Sequence, residues 1–290
     1  MPWIQLTLLT DKANNEKAEQ ALLDAGALSV TFKDAEDNPV LEPLPGETPL
    51  WESIILTGLY EADINTRSVQ QQIHKQLGDK VKLKLEALED KDWVRAWMDD
   101  YKPMQFGERL WVCPKHLPPP QPEAVNLMLD PGLAFGTGTH PTTALCLEWL
   151  DSAKTENKQV LDFGCGSGVL AIAALLLGAE HCDATDIDPQ AIIASKDNAQ
   201  ANHVADSLDL FLPADMPDKS YDIVLANILA GPLTELAEQL AAYCKPDGYI
   251  VLSGILETQA DKIIQAYTPW FKLEPITVKD DWIRVTGTKK

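Results

Sequence analysis

The chain has few of the features that mark disulfide-rich, metal-binding or membrane proteins. It contains five cysteines, an odd number, and no two of them form a Cys-x-x-Cys pair. That pattern favours neither a disulfide framework nor a zinc site, and we expect no metal. The longest apolar helix candidate, residues 169–177, is too short to span a bilayer, and no basic flank precedes the apolar run at the start. We therefore expect a cytoplasmic protein without membrane association.

Positive charge is also scarce. Lys and Arg number 24 against 44 Asp and Glu, so the formal net charge is -20. Because phosphate contacts require clustered Lys and Arg, this balance argues against direct nucleic-acid binding and favours a basic partner. The 290 residues, with 45% hydrophobic and 23% charged content, suffice for two globular domains.

The first third of the chain carries strand and helix patterns in the order βαββαβ. This order predicts a small α+β domain of the ferredoxin-like type over residues 1–90. The segment contains no catalytic constellation, so we expect it to hold a partner. The predicted strands are residues 3–10, 28–32, 53–60 and 81–88, and the predicted helices are residues 16–26 and 66–77.

Residues 105–290 follow a different pattern. An aromatic stripe at Trp93, Trp97 and Tyr101 predicts a linker helix over residues 91–104. Beyond it, one strand is predicted at 106–113, and apolar strands then alternate with helices, which indicates a parallel α/β sheet. A hairpin of residues 271–278 and 282–288 would add antiparallel edge strands. The other predicted strands begin near 160, 182, 207, 221 and 248, and the helices near 169, 189, 232 and 257.

The most informative motif is VLDFGCGSG at residues 160–168. Glycines 164, 166 and 168 allow a tight turn after a strand, and the helix that follows directs its N-terminal amides at a ligand. Asp186, about twenty residues later, would end the next strand and accept hydrogen bonds from a ribose diol. A dinucleotide site normally has Gly-x-Gly-x-x-Gly, and the acid Asp162 would be unfavourable beside a pyrophosphate. S-adenosylmethionine, which carries a sulfonium and an ammonium, therefore fits better than NAD, the alternative.

Two further segments are predicted to converge on this edge of the sheet. Asn227 ends the apolar run at 221–226, where its amide oxygen could accept a hydrogen bond from an amine; the alternative is a cap for a helix near Pro232. Residues 127–143 are rich in turn residues and hydroxyl groups, which is typical of a lid over a ligand. The alternative there is a helix start capped by Thr139 or Thr142.

The motifs together resemble one family closely. The glycine loop and the Asp-Ile-Asp run at 186–188 resemble class I methyltransferases, whereas DPGLAFGTGTHPTT at 130–143 and Ala-Asn-Ile-Leu-Ala at 226–230 resemble the PrmA family. The resemblance implies a Rossmann-like domain with a seven-stranded sheet. It also implies S-adenosylmethionine-dependent methylation of lysine and N-terminal amines on the large-subunit ribosomal protein numbered eleven. We expect the protein to be a monomer. The cofactor-binding residues that it implies are Phe135, His140, Thr143, Gly164, Gly166, Asp186, Ile187 and Asn227.

The reaction predicts one catalytic residue. We expect the side-chain oxygen of Asn227, with a backbone carbonyl from Ile228 or Leu229, to aim an amine lone pair at the methyl group. No residue in the motifs is a convincing general base. The alternatives are an amine methyltransferase for a small molecule or nucleic acid, and a non-catalytic binding module. Cys165 is interpreted as a buried structural residue, and His181 as having no partners that complete a metal site.

Overall fold

The computed structural model describes residues 3–36, 50–88, 101–129 and 140–290. The chain divides into two compact units, Met1–Asp99 and Asp100–Lys290. Residues 91–100 of the predicted linker helix lie outside the described residues. Residues 101–103 have no regular structure, and Met104 begins a strand.

The first unit has the predicted order of strands and helices around one antiparallel sheet. The sheet order is β2-β3-β1-β4. Alternate side chains of the central strands are fully or almost fully buried, among them Leu6, Leu8, Ile54 and Leu56. The second helix starts where Asn65 Oδ1 accepts a hydrogen bond from Ser68 N at 3.1 Å. The elements are β1 (Trp3–Asp11), α1 (Asn15–Asp24), β2 (Ser29–Asp34), β3 (Ser53–Tyr60), α2 (Thr66–Leu77) and β4 (Leu83–Leu88).

The second unit opens with a small sheet that the sequence did not predict. The single strand expected at 106–113 is two strands, β5 (Met104–Phe106) and β6 (Leu110–Pro114), and β7 (Val125–Leu129) pairs parallel to β6. The chain turns at Gly107, whose φ is 70°. Asp151 accepts hydrogen bonds from the backbone N–H groups of Glu108 and Arg109 at 2.7 and 3.2 Å, which holds the turn. A Cβ at Gly107 would overlap Asp151.

A large, mostly parallel sheet forms the body of the second unit. Its order is β10-β9-β8-β11-β12-β15-β13, and β14 also pairs with β15. The sheet therefore has eight strands, one more than predicted. The strands are β8 (Gln159–Phe163), β9 (His181–Thr185), β10 (Leu208–Phe211), β11 (Tyr221–Asn227), β12 (Cys244–Leu256), β13 (Phe271–Leu273), β14 (Thr277–Lys279) and β15 (Trp282–Lys289).

The extra strand arises because the expected strand 271–278 is interrupted. Glu274 N still donates to the carbonyl of Thr286 at 2.9 Å, but residues 274–276 are not part of a strand, and Pro275 has no backbone N–H to donate. Strands β13 and β14 therefore pair separately with the antiparallel β15.

Helices cover this sheet and enclose two apolar cores. One core includes Val160, Ile172 and Leu225, and the other includes Leu161, Val224 and Leu252, so adjacent residues of a central strand face opposite cores. Within the described residues, no helix combines the length and hydrophobicity that a membrane crossing requires. The helices are α3 (Pro141–Ser152), α4 (Val169–Leu176), α5 (Pro189–Ala201), α6 (Ala230–Glu235), α7 (Ala237–Tyr243) and α8 (Ala260–Tyr267).

The strand order reverses direction between β8 and β11. From β8 the chain adds β9 and β10 on one side, whereas β11 and β12 lie on the other. In open α/β sheets such a switch point leaves a crevice at the carboxyl ends of the two strands. The predicted glycine loop follows β8, and Asn227 is the last residue of β11.

Candidate functional site

The glycine loop, residues 164–168, has a backbone that only glycine adopts without strain. Gly164, Gly166 and Gly168 have φ values of 84°, 54° and 78°. These left-handed conformations turn the chain from the end of β8 into α4, and Gly168 is the N-cap of that helix. The loop therefore presents backbone rather than side chains to the crevice.

Asp186 holds the glycine loop from the neighbouring strand. Its Oδ2 accepts a hydrogen bond from Gly166 N, and its Oδ1 accepts one from Asp188 N, both at 2.9 Å. The carbonyl of Thr185 accepts from Gly164 N and Cys165 N at 2.8 and 3.0 Å. The sequence predicted Asp186 only as a ligand contact, whereas the structure shows that its carboxylate also orders the loop.

Two buried polar residues of α5 fix the loop from below, and the sequence analysis missed both. Ser195 Oγ donates to the carbonyl of Gly166 at 2.9 Å, and Asn198 Nδ2 donates to that of Ser167 at 3.0 Å. Both side chains are buried. Their i, i+3 spacing places them on one face of α5. This spacing was the one sequence feature that could have pointed to their contact with the loop.

Asp162 is a fully buried carboxyl group under the start of α4. Its Oδ2 accepts a hydrogen bond from Ala171 N at 3.0 Å, while Oδ1 has no partner among the described residues. Burial raises the pKa of Asp162 to about 7, since removal from water disfavours the charged form. Oδ1 is thus a buried acceptor beneath the glycine loop that no hydrogen bond of the described residues uses.

We expect Asp162→Asn to change how stability depends on pH. Between about pH 4 and pH 7, Asp162 is ionised in the unfolded chain but keeps its proton in the folded protein. The free energy of unfolding therefore falls as the pH rises through this range. The variant lacks this loss, so its stability should gain on wild type by up to about 1.4 kcal/mol per pH unit in that window. Denaturant unfolding at several pH values measures this, with Asp218→Asn at an exposed position as control. Parallel profiles for wild type and Asp162→Asn would contradict it.

Asn227 is the last residue of β11 and contacts α3. Its Nδ2 donates a hydrogen bond to Thr143 Oγ1 at 3.3 Å. This assignment leaves the amide Oδ1 as the acceptor not used by that contact. The helix that follows begins at Ala230 with Leu229 as its N-cap, so Asn227 is not the cap that the alternative required.

His140 caps the helix that carries Thr143. Its side chain accepts from Thr142 N at 3.4 Å, and Nδ1 lies 2.8 Å from Thr142 Oγ1. A helix does start here, as the alternative to a lid predicted, but Thr142 is not its cap, and Thr139 lies outside the described residues. The His140 ring meets Trp282 edge to face, with centroids 4.8 Å apart, and burial lowers the pKa of His140.

The predicted site residues fall into two linked groups. Gly164, Gly166 and Asp186 meet at the ends of β8 and β9, and Thr143 meets Asn227 at the end of β11. Strands β8 and β11 are paired neighbours, with Phe163 opposite Ala226, which joins the groups. Ile187 follows Asp186 and is 86% exposed. Phe135, together with residues 130–139 of the predicted lid, lies outside the described residues, and residues 127–129 of the lid belong to β7.

The five cysteines are all buried and unpaired. Burial raises the pKa of the Cys165 thiol well above its ordinary value, and Ser195 Oγ lies 3.5 Å from its sulfur. A thiol in this state is a poor nucleophile, which agrees with the interpretation of Cys165 as a structural residue under the loop.

A second group of ionisable side chains lies at the start of β9. His181 Nε2 is 3.0 Å from Asp183 Oδ1 and 3.2 Å from Asp209 Oδ2, and the three ligand atoms lie within 4.8 Å of one another. No sequence pattern pointed to Asp209, which the pairing of β10 with β9 places opposite Asp183. Asp183 Oδ2 also lies 2.7 Å from Lys219 Nζ and accepts from the Tyr221 hydroxyl at 2.6 Å. Its charge is thus already balanced, as in an ion-pair network.

We expect Asp186→Ala to weaken binding of S-adenosylhomocysteine, the demethylated form of the proposed cofactor. The change removes two charge-assisted hydrogen bonds that shape the loop. We take the net loss of binding free energy as that of one such bond, about 1.5 to 3 kcal/mol, so the Kd should rise about 10- to 150-fold. Calorimetric titration measures this effect. Asp188→Ala is the control, because it removes the cap of α5 at Gln190 N but not the contact with Gly166. Unchanged affinity for S-adenosylhomocysteine, with binding of NAD instead, would restore the dinucleotide alternative.

Comparison with known proteins gives one consistent result. The family model described as ribosomal protein L11 methyltransferase (PrmA) matches residues 2–290. A protein of that name from Photorhabdus laumondii is 56% identical over 292 residues, covering 100% of this chain and 99% of the relative. Another from Enterobacter sp. (strain 638) is 56% identical over 293 residues and covers all of both chains. The crystal structure of a ribosomal protein L11 methylase from Lactobacillus delbrueckii subsp. bulgaricus is similar at 35% identity and a TM-score of 0.60, covering 66% of this chain and all of that one.

Proposed function

The chain belongs to the ribosomal protein L11 methyltransferase (PrmA) family, and from that premise we propose that it transfers methyl groups from S-adenosylmethionine to amines of ribosomal protein L11. The full-length family match carries this proposal, because glycine loops after a β-strand also occur in enzymes of other classes. We infer that lysine side chains and the N-terminal amine are the acceptors.

We propose a class I, Rossmann-like methyltransferase fold for residues 100–290 and a ferredoxin-like fold for the first unit. The reversal of strand order at β8 and β11 supports the first assignment. The βαββαβ order and the antiparallel sheet β2-β3-β1-β4 support the second. In this division of labour the first unit recognises the protein substrate and the second carries the chemistry.

The residues of the crevice fit S-adenosylmethionine. The left-handed glycines turn the loop without side chains of their own, and the carboxyl group of Asp162 lies fully buried beneath the helix that follows the loop, where its negative charge when ionised favours a ligand with two positive groups. We propose that Gly164, Gly166 and Asp186 hold the nucleoside and amino-acid parts, with exposed Ile187 against the base. Thr143, His140, Phe135 and Asn227 complete the proposed contacts.

The bound cofactor supplies a methyl group on a sulfonium, and the protein's task is to position a neutral amine in line with it. We propose that Asn227 Oδ1 accepts a hydrogen bond from the amine, because Asn227 Nδ2 is engaged by Thr143. The carbonyl of Leu229 already accepts from Leu233 N at 3.1 Å in α6. Of the two backbone carbonyls predicted for this role, that of Leu229 is therefore the weaker candidate.

The acceptor must lose a proton before it attacks. An α-amine with a pKa near 7.7 to 8.0 is partly neutral at cellular pH, whereas a lysine near 10.4 must be shifted by about three units, which costs about 4 kcal/mol. Burial of the amine near a positive sulfonium disfavours the ammonium form and supplies part of that cost. We assign no residue as general base, and the proton leaves to solvent.

The charge balance supports a basic protein as the substrate. The net charge of -20 attracts lysine-rich segments and repels nucleic acid. We propose that the enzyme acts as a cytoplasmic monomer without direct nucleic-acid contacts.

A parallel transfer assay tests this function against its alternatives. The enzyme is incubated with methyl-labelled S-adenosylmethionine and, separately, purified L11, ribosomal RNA and a mixture of small amines. We expect label on L11 alone. Label on RNA or small amines but not on L11 would favour another amine methyltransferase, and cofactor binding without any transfer would favour a non-catalytic module.

A further inference from the structure

Ile228, which directly follows Asn227, is packed between two glycines from different parts of the second unit. Its side chain lies against Gly164 in the glycine loop, and its backbone lies against Gly254 in β12. Both glycines have left-handed φ values, 84° and 82°. The residue after Asn227 thus contacts both the proposed cofactor loop and the central sheet.

The contact with Gly254 leaves no room for any side chain. A Cβ at Gly254 would overlap the carbonyl oxygen of Ile228 and would lie 2.7 Å from its carbonyl carbon and 3.1 Å from its nitrogen. All three are backbone atoms, so no side-chain rotation relieves the overlap. Only glycine allows this peptide to lie against the strand.

The sheet is irregular at the same place. Asn227 pairs with Ser253, the residue before Gly254, and the ladder between β12 and β15 shifts register between Leu252 and Ile255. Ser253 is fully buried, and its hydroxyl donates to the carbonyl of Ile283 at 3.0 Å. The bulge therefore has a fixed position, as bulges beside functional sites commonly do.

The contact with Gly164 is made by a methyl group. A Cβ at Gly164 would overlap Ile228 Cγ2, which is present because isoleucine is branched at Cβ. The first glycine of the loop is therefore required by Ile228 as well as by its own turn. Branching also leaves the Ile228 side chain little rotational freedom, so it acts as a rigid spacer between loop and strand end.

We propose that Gly254 and Ile228 are positioning residues for methyl transfer. Gly254 fixes the peptide after Asn227, Ile228 sets the distance from that peptide to the glycine loop, and Thr143 orients the Asn227 amide from the other side. Neither Gly254 nor Ile228 is assigned a contact with the reacting atoms. The inference rests on the proposed function, because the step that they serve is the transfer to an amine.

Gly254→Ala tests the proposal. The added methyl group displaces the peptide at Ile228 and so misplaces the Asn227 amide. Because a misplacement of about 1 Å costs about a hundredfold in rate, we expect a 10- to 100-fold fall in the single-turnover rate on L11 at saturating cofactor and substrate. The Kd for S-adenosylhomocysteine should change less than about threefold, since the glycine loop keeps its bonds to Asp186 and α5.

Two glycines serve as matched controls. Gly231 lies in α6 near the same strand end and has open space around it, so Gly231→Ala should keep the rate within about twofold. Gly178 has a φ of 103° and adjoins Glu156, so Gly178→Ala reports the cost of left-handed strain away from the crevice. It should lower the melting temperature without lowering the rate.

A second pair of variants keeps the test decisive if Gly254→Ala does not fold. Ile228→Val keeps Cγ2 and should retain most of the wild-type rate, whereas Ile228→Ala removes it and should lose about tenfold or more at unchanged cofactor affinity. A wild-type rate for Gly254→Ala, a loss of rate fully accounted for by loss of cofactor affinity, or equal rates for the two Ile228 variants would overturn the inference. If wild type itself does not methylate L11, the proposed function fails instead.

Discussion

Asn227→Ala should lower the single-turnover rate of methyl transfer to L11 about 100-fold at saturating cofactor. This factor corresponds to about 2.7 kcal/mol, the typical effect of removing one positioning hydrogen bond from a desolvated site. Asn227 Nδ2 donates a hydrogen bond to Thr143 Oγ1 at 3.3 Å, so the amide oxygen is already oriented before an amine binds. Affinity for S-adenosylhomocysteine should fall much less, because the glycine loop and Asp186 remain.

Thr143→Val and Asn227→Asp separate the orientation of the Asn227 side chain from its effect on the protonation state of the acceptor amine. Valine has the shape of threonine without the acceptor, so the amide loses its anchor and the rate should fall by less than in Asn227→Ala. Aspartate keeps the geometry but favours the charged ammonium form of the acceptor, which should slow transfer most at neutral pH. If saturating cofactor restores the full rate of Asn227→Ala, Asn227 is a cofactor-binding residue and does not orient the amine.

Removal of residues 1–99 should leave a folded domain that binds S-adenosylhomocysteine but does not methylate L11 efficiently. The remaining unit, Asp100–Lys290, contains both apolar cores of the large sheet, together with every proposed cofactor residue. A unit with its own core is expected to fold alone. Loss of the proposed recognition unit should lower kcat/KM for L11 by about 100-fold or more, the equivalent of about 2.7 kcal/mol of binding.

To compare the full chain with the chain that lacks residues 1–99, a second substrate is needed as a control, one that does not bind the proposed recognition unit. A short lysine peptide should be methylated slowly and at similar rates by the full chain and the truncated one, because all the proposed site residues lie in the second unit. Full-rate methylation of intact L11 by the truncated enzyme would show that residues 1–99 are not the recognition module.

Elements with strong local patterns were predicted well from the sequence. Ser53–Tyr60 and Thr66–Leu77 have the predicted bounds, since alternation defines the strand and Asn65 and Gly78 cap the helix. Of the three short strands before residue 130, the first two were predicted as one strand at 106–113, and Val125–Leu129 was missed. A three-residue strand such as Met104–Phe106 is too short to show periodicity, and its pairing depends on a turn held by the distant Asp151.

The positions of the candidate site residues were predicted where a motif lies at the end of a strand, and not where they depend on contacts between distant segments. The positions of Gly164, Asp186 and Asn227 followed from the order of strands and loops. The bond from Asn227 to Thr143 joins residues 84 positions apart, and the packing of Ile228 against Gly254 depends on a bulge in β12. Such contacts arise from pairing of the whole sheet, which a pattern of single residues does not specify.

Mass mapping of methylated ribosomal proteins tests the central claim most directly. Unmethylated large-subunit proteins are incubated with this enzyme and labelled S-adenosylmethionine, and each labelled protein is digested and mapped. We predict label on L11, in steps of one methyl group, at lysine side chains and the N-terminal amine, and none when Asn227→Ala replaces wild type over the same short time. Label confined to other proteins, or an unlabelled L11 beside an enzyme that binds the cofactor, would contradict the account.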